Sequence, residues 1–372
     1  MLYLDHAATT PLRPGVWEAM APFATDRFGN PSGSHEVSRK AKNALEVARE
    51  RAAALIGAQP LEVVFTGGGT ESDNLALKGA ALAREGRRGV VTVATEHPAV
   101  LESGRFLARL GCPLTLVGVD RYGRVDPDEV AGAVADTTAV VSVMTANNET
   151  GTIQPVRKVV DAVRTRFPDV LIHTDAVQAF VSEEVSVDDL GVDLLTLAAH
   201  KLGGPKGVGL LYVRRGTRLE PLLHGGGQEL GRRSGTHNVA GAVGMAEAME
   251  LTGADRARFR AEVVEARQRF ERRLVGRSIR TVPEEVSLVQ HAHLRFPGRR
   301  NETLLVRLDR LGLAASTASA CHSGAATVSH VLTAMGIPPS LARESLRFSF
   351  GWTTRPADGD RAAELIQAAL ES

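Results

Sequence analysis

The sequence has 372 residues, with 44 Lys and Arg against 43 Asp and Glu, a length that suits two domains or one large domain with a satellite. The near-cancellation of charge excludes a global field for nucleic acid or an anionic membrane. Two cysteines, Cys112 and Cys321, make neither a disulfide framework nor a CxxC metal site, so a reducing cytosol is the expected compartment.

At the N-terminus, "MLYLDHAATTPLRP" carries Asp5 and His6 where a signal peptide would be basic and then apolar, and no apolar run reaches membrane-spanning length. The stretch "RKAKNALEVARERAAALIG" places Ala41, Leu45, Ala48, Ala52 and Leu55 at helical intervals and stops at Gly57. From Val63 onward, short β-branched runs alternate with helical patterns: "VVF", "VVTVAT", "LTLVGV", "VVSVMTA", "VLIHTDA", "LLTLAAH" and "GVGLLYV". Such alternation predicts an α/β fold with a largely parallel sheet between helices. After about Gly253 a long charged helix begins, then isolated strands and helices. This reads as a second, smaller α+β domain with a boundary near residue 255.

Ligands of open α/β sheets bind at the carboxyl ends of strands. Here those ends carry "TGGGTESDN", then Glu96 and His97, Asn147 and Asn148, Asp175 and Gln178, and finally His200 and Lys201. "TGGGT" between a strand and a helix is a phosphate cradle, since glycines let backbone amides approach and the helix start presents unpaired N–H groups. On composition alone it is equally a tight turn or part of a dinucleotide site, with Glu96 as ribose ligand. Lys201 narrows the choice. A lysine beside a phosphate cradle and a carboxylate, Asp175, at the end of an apolar strand supplies the groups a pyridoxal phosphate enzyme needs: a Schiff-base amine, an acid for the pyridinium nitrogen, and phosphate donors. A nicotinamide site needs neither the lysine nor the acid. Arg347 has the guanidinium fork that an α-amino acid's carboxylate fits.

"YLDHAATTP", "FGNPSGSH", "TGGGTESDNLALKG", "TEHPAV", "NNETG", "HTDAVQ", "HKLGGPKG", "HGGGQE", "RRSGT", "STASAC" and "SLRFSFG" stand in the order and spacing of cysteine desulfurases of the nitrogenase and iron-sulfur-assembly type. The whole chain resembles these class V members of the fold-type-I pyridoxal phosphate transferases. The resemblance implies a large domain over residues 12–255. It also implies a small domain from 1–11 and 256–372, carrying a catalytic cysteine loop (about 314–328) and Arg347. It implies that Lys201 holds the cofactor, Asp175 pairs with its ring nitrogen, His97 stacks on the ring and moves protons, and Gln178 donates to the phenolate oxygen. Gly69, Thr70 and His200 would hold the phosphate, and Thr236 would reach the phosphate in the other subunit of a homodimer. Asn148 and Arg347 would bind the carboxylate of L-cysteine. Cys321 would take the sulfur as a persulfide, release alanine, and pass the sulfur to an acceptor protein. Direct nucleic-acid contact, membrane contact and a metal are not expected.

Two departures bear on function. Ala198 stands where the family usually has a phosphate-binding serine, and His322 follows the cysteine where threonine is common. The histidine is similar to that of selenocysteine lyases, which share the scaffold. A desulfurase dedicated to DNA phosphorothioation or tRNA thiolation is a further alternative to iron-sulfur cluster assembly. Cys112 reads as a structural small residue, and His291 and His293, on one face of a strand, as surface or packing residues rather than metal ligands.

Overall fold

The computed structural model describes residues 1–317 and 328–371; Cys321 and His322 lie outside them. In chain order the strands are β1 (Leu2–Tyr3), β2 (Val63–Thr66), β3 (Gly89–Val93), β4 (Leu114–Val117), β5 (Thr138–Ser142) and β6 (Leu171–Asp175). They continue with β7 (Leu194–Ala198), β8 (Gly209–Val213), β9 (Ile279–Arg280), β10 (His291–Arg295), β11 (Leu313–Ala314) and β12 (Ser345–Ser349). All seven runs expected from the sequence form one sheet, ordered β2-β8-β7-β6-β5-β3-β4. β8 runs antiparallel to both neighbours and the other pairs are parallel.

Every residue of β2, β3, β5, β6, β7 and β8 is buried. That is why these strands read as unbroken apolar runs: helices cover both faces of the sheet. Val63 and Phe65 join one core while Val64 joins the other, as the pleat requires. Helix Glu36–Ala54 buries Ala41, Leu45, Ala48 and Ala52 against the first of these cores. Cys112 is buried in the second.

The expected boundary near residue 255 falls inside one helix, Val239–Arg273, which runs 35 residues. Met245 and Met249 on its first half pack into the large core, whereas Phe259, Val263 and Phe270 pack with Phe296 and Phe348 in a separate core. The change of composition at Gly253 therefore marks a change of packing partner along a continuous rod. Around the second core lie the antiparallel sheet β12-β10-β9 and the parallel pair β1-β11. Leu4, next to β1, belongs to that second core, so the first residues of the chain pack with its last hundred. No helix among the described residues is long and apolar enough to cross a membrane.

Candidate active site

The carboxyl ends of β2, β3, β5, β6 and β7 open onto a cavity of about 410 Å³. Gly69, Thr70, His97, Asn148, Asp175, Gln178, His200, Lys201 and Arg347 all line it, with Ala198 on its wall. Five chain segments thus converge because parallel strands place their following loops on one edge of the sheet. Thr236 is exposed and does not line the cavity.

The phosphate cradle begins at Gly68, whose φ of +145° is open to glycine and strained for other residues. Gly68 caps helix Gly69–Leu82 without any side-chain hydrogen bond. The first-turn N–H groups therefore face the cavity with no capping oxygen of their own, the arrangement that binds an anion. A Cβ at Gly69 would sit 3.3 Å from Val177 Cγ2 and 3.5 Å from the Ala198 Cβ, filling the floor of the cradle. Glu71 braces the loop: its Oε2 accepts from the Gly67 N–H at 2.8 Å and its Oε1 from Arg233 Nε at 2.8 Å.

Asp175 ends β6, and its Oδ1 accepts from the Val177 N–H at 2.9 Å. Burial pushes its carboxyl up to about 6, since the Val177 hydrogen bond and the Lys201 charge offset only part of the desolvation. A cation directly on this carboxyl would return it to the charged form, and a protonated ring nitrogen is such a cation. The donor set therefore fits pyridoxal phosphate: an uncapped helix start for the phosphate, a cation-seeking carboxyl, and a primary amine.

That amine, Lys201 Nζ, donates to the Ala7 and Ala8 carbonyls, each at 2.6 Å. Burial, reinforced by the positive charge of Arg347, lowers it to about 8, so a usable fraction is the neutral nucleophile at neutral pH. His97 caps helix Pro98–Arg109, its Nδ1 accepting from the Ala99 N–H at 3.1 Å. Burial, with the charge of Lys201 behind it, lowers His97 to about 4. The ring is neutral, and with Nδ1 committed as an acceptor its proton stands on Nε2.

At the far end of the cavity Arg347 comes from β12. Its Nη1 donates to the Asn148 carbonyl at 2.7 Å and its Nη2 to Asp5 Oδ1 at 2.6 Å. Across the sheet, His293 stands opposite Arg347, and both His291 and His293 are buried and pushed down to about 3, chiefly by desolvation. Of the two readings offered for this pair, packing is the one observed. No group of three metal-ligating side chains occurs among the described residues.

Sequence reasoning missed two features. The segment Ala7–Thr10 covers the Lys201 turn: Gln178 Nε2 donates to the Ala7 carbonyl at 3.0 Å and Thr10 Oγ1 to the His200 carbonyl at 2.8 Å. His200 Nδ1 meets Thr9 Oγ1 at 3.1 Å. Asp73 also lines the cavity, and burial and the charge of Asp175 push its carboxyl upward. His173 Nε2 lies 3.6 Å from Asp73 Oδ1 and is itself lowered to about 3 by burial, so the imidazole is neutral and the contact is not an ion pair. An acid four residues past the start of helix Gly69–Leu82 reads as an ordinary solvent-facing helix residue. Only the tertiary fold shows that it faces inward.

The aminotransferase class-V family model matches residues 2–361. A cysteine desulfurase, IscS, of Dictyoglomus turgidum is 44% identical over 375 residues, covering 100% of this chain and 94% of that protein. The solved structure of a NifS-like protein superposes with a TM-score of 0.94 at 36% identity, covering 100% of this chain and 99% of that one. A structure of SspA in complex with cysteine gives 0.84 at 35% identity, covering 94% and 99%.

Proposed function

The chain belongs to the aminotransferase class-V family and groups within it with the cysteine desulfurases; from that premise we propose that its cavity binds pyridoxal phosphate and L-cysteine and delivers the cysteine sulfur to Cys321. The observation that carries this reading is the convergence of Lys201, Asp175, His97 and Arg347 on one cavity of about 410 Å³.

When bound, pyridoxal phosphate supplies an electron sink conjugated to the substrate's α-carbon. Lys201 would be the amine that holds the cofactor and would also carry the proton at that carbon. Asp175 keeps the ring nitrogen protonated, and a charged partner there removes the desolvation that raises its pKa. With the cofactor bound, His97 would offer its Nε2–H there, as a donor rather than a base while neutral. Gln178 would donate to the phenolate oxygen, while Thr70, His200 and the amides after Gly68 would hold the phosphate. Arg347 and Asn148 orient the substrate carboxylate. The Cys321 thiolate then attacks the substrate sulfur: an S–S bond forms, the substrate's C–S bond breaks, and the carbon gains the electron pair and a proton to become alanine.

Thr236 completes the phosphate site of a second copy in a homodimer, which accords with its exposure in the single chain. Residues 12–255 form the cofactor-binding unit, and residues 1–11 with 256–372 form the substrate-closing unit. Cys321 hands its sulfur to an acceptor protein. The test is the absorbance of the purified protein, followed by addition of L-cysteine with alanine and sulfide both measured. A coloured protein that makes the two products, and fails when Cys321→Ala is introduced, supports the reading. A colourless protein, or an undiminished rate in Cys321→Ala, overturns it.

A further inference from the structure

Arg347 is nearly sequestered, its side chain 5% exposed, and a planar fork at the end of a long flexible stem recognises a carboxylate only if its plane is fixed. Two of its nitrogens are already engaged: Nη1 by the Asn148 carbonyl and Nη2 by Asp5. Nε is buried without a partner. Arg347 lines the cavity, whereas Asp5 does not. Asp5 therefore grips the fork from outside the substrate space and leaves the remaining N–H groups to it.

Asp5 is itself a fixed post. The Leu4 N–H donates to the Ala314 carbonyl at 2.9 Å, tying this segment to β11, and the Ser349 N–H donates to the Leu4 carbonyl at 2.7 Å, tying it to β12. Asp5 bridges Ser349, two residues beyond Arg347 on the same strand. Its own carbonyl accepts from Tyr3 Oη at 3.0 Å and from the Ala8 N–H at 3.0 Å. The charge is needed as well as the grip. His291 and His293 are neutral, Lys201 is a second cation in the same site, and Asp5 is the carboxylate in ion-pair contact with the guanidinium.

We propose that Asp5 is a positioning residue that clamps the Arg347 guanidinium, through Nη2, in the plane from which it receives the substrate's carboxylate. This rests on the reading of Arg347 as the carboxylate site. A structural ion pair alone would weaken the protein without distinguishing ligands with and without a carboxylate.

The experiment titrates the holoenzyme with L-alanine and with ethylamine, which lacks the carboxylate, following the cofactor absorbance, and measures KM and kcat for L-cysteine. Asp5→Ala raises the alanine Kd and the cysteine KM about tenfold or more, the scale of a misplaced binding group, while kcat barely moves. Its ethylamine affinity stays within about twofold of wild type, as for an independent site. Asp5→Asn keeps the acceptor oxygen but not the charge and restores only part of the alanine affinity. Asp5→Glu keeps the charge but displaces the fork by a methylene and stays weak, which carries the test should Asp5→Ala fail to fold. Unchanged alanine affinity in Asp5→Glu, equal losses for alanine and ethylamine, or a loss from Asp5→Ala that persists in an Arg347→Ala background would each overturn the proposal. Arg347→Ala with undiminished alanine affinity would instead overturn the reading of Arg347 on which it rests.

Discussion

At the sheet end of the cavity, each polar group stands within a few residues of the end of a parallel strand: His97 after β3, Asp175 at the end of β6, and His200 and Lys201 after β7. At the opposite end, Arg347 is held by Asn148 and by Asp5, which are 199 and 342 residues away in sequence. The first set is positioned by the register of one buried sheet. The second depends on three chain segments packing against one another. On the proposed function the side chains at the sheet end are the chemical ones, where small misplacement is least tolerable, and those at the other end would select and hold what arrives.

The contrast is broken most severely at Lys201. On the proposed function, Lys201→Ala removes both the Schiff-base amine and a proton carrier. Alanine and sulfide formation should fall by about 10⁴-fold, the upper end of what one proton-transfer group contributes, with the Schiff-base absorbance lost as well. Retained turnover would mean that the sheet end is not the chemical end.

Arg347→Ala should cost about 10²-fold in kcat/KM, in line with about 3 kcal/mol for truncating one partner of a buried charge pair. The loss should fall mainly on KM. If it falls mainly on kcat, the two ends are not functionally separate, and carboxylate binding is part of the chemistry.

A third outcome is set by pH at the sheet end alone. Reconstitution of cofactor-free protein requires the neutral Lys201 amine, whose pKa is lowered to about 8. The neutral fraction grows as pH rises, so the initial rate of Schiff-base formation should climb about tenfold from pH 7 to pH 9, with its midpoint near the Lys201 value. A rate that climbs about a hundredfold without levelling off, as for an ordinary exposed lysine, would show that the amine is not buried in the way the Ala7 and Ala8 contacts describe.

The same contrast decides what was legible beforehand. The seven sheet strands and the residues that follow them could be read locally, because strands buried on both faces are apolar runs and what comes next in sequence comes next in space. The antiparallel direction of β8 could not, since "GVGLLYV" carries no mark of orientation. Nor could the unbroken path of helix Val239–Arg273 through residue 255, because a change of packing partner alters composition without altering helical period. Asp5 and Ala7–Thr10 were visible as a motif but not as parts of the site, their partners being Lys201, His200 and Arg347. Asp73 and His173 looked like ordinary residues of a helix and a strand until burial set their protonation.

The smallest effect expected is at Ala198, on the wall of the phosphate cradle. This residue is 3% exposed, and its Cβ lies 3.5 Å from where a Gly69 Cβ would stand. A serine there adds one oxygen to the edge of an open cavity of about 410 Å³, so overpacking is not the obstacle it would be in a filled core. The gain is one hydrogen bond to phosphate, about 1 kcal/mol net. Ala198→Ser should therefore slow cofactor loss during dialysis about fivefold, while kcat for cysteine, set by groups at the ring and the α-carbon, remains as it was. Faster loss would show that the amides after Gly68, with Thr70 and His200, already saturate the phosphate, and that a hydroxyl at position 198 intrudes on the glycine turn instead of joining it.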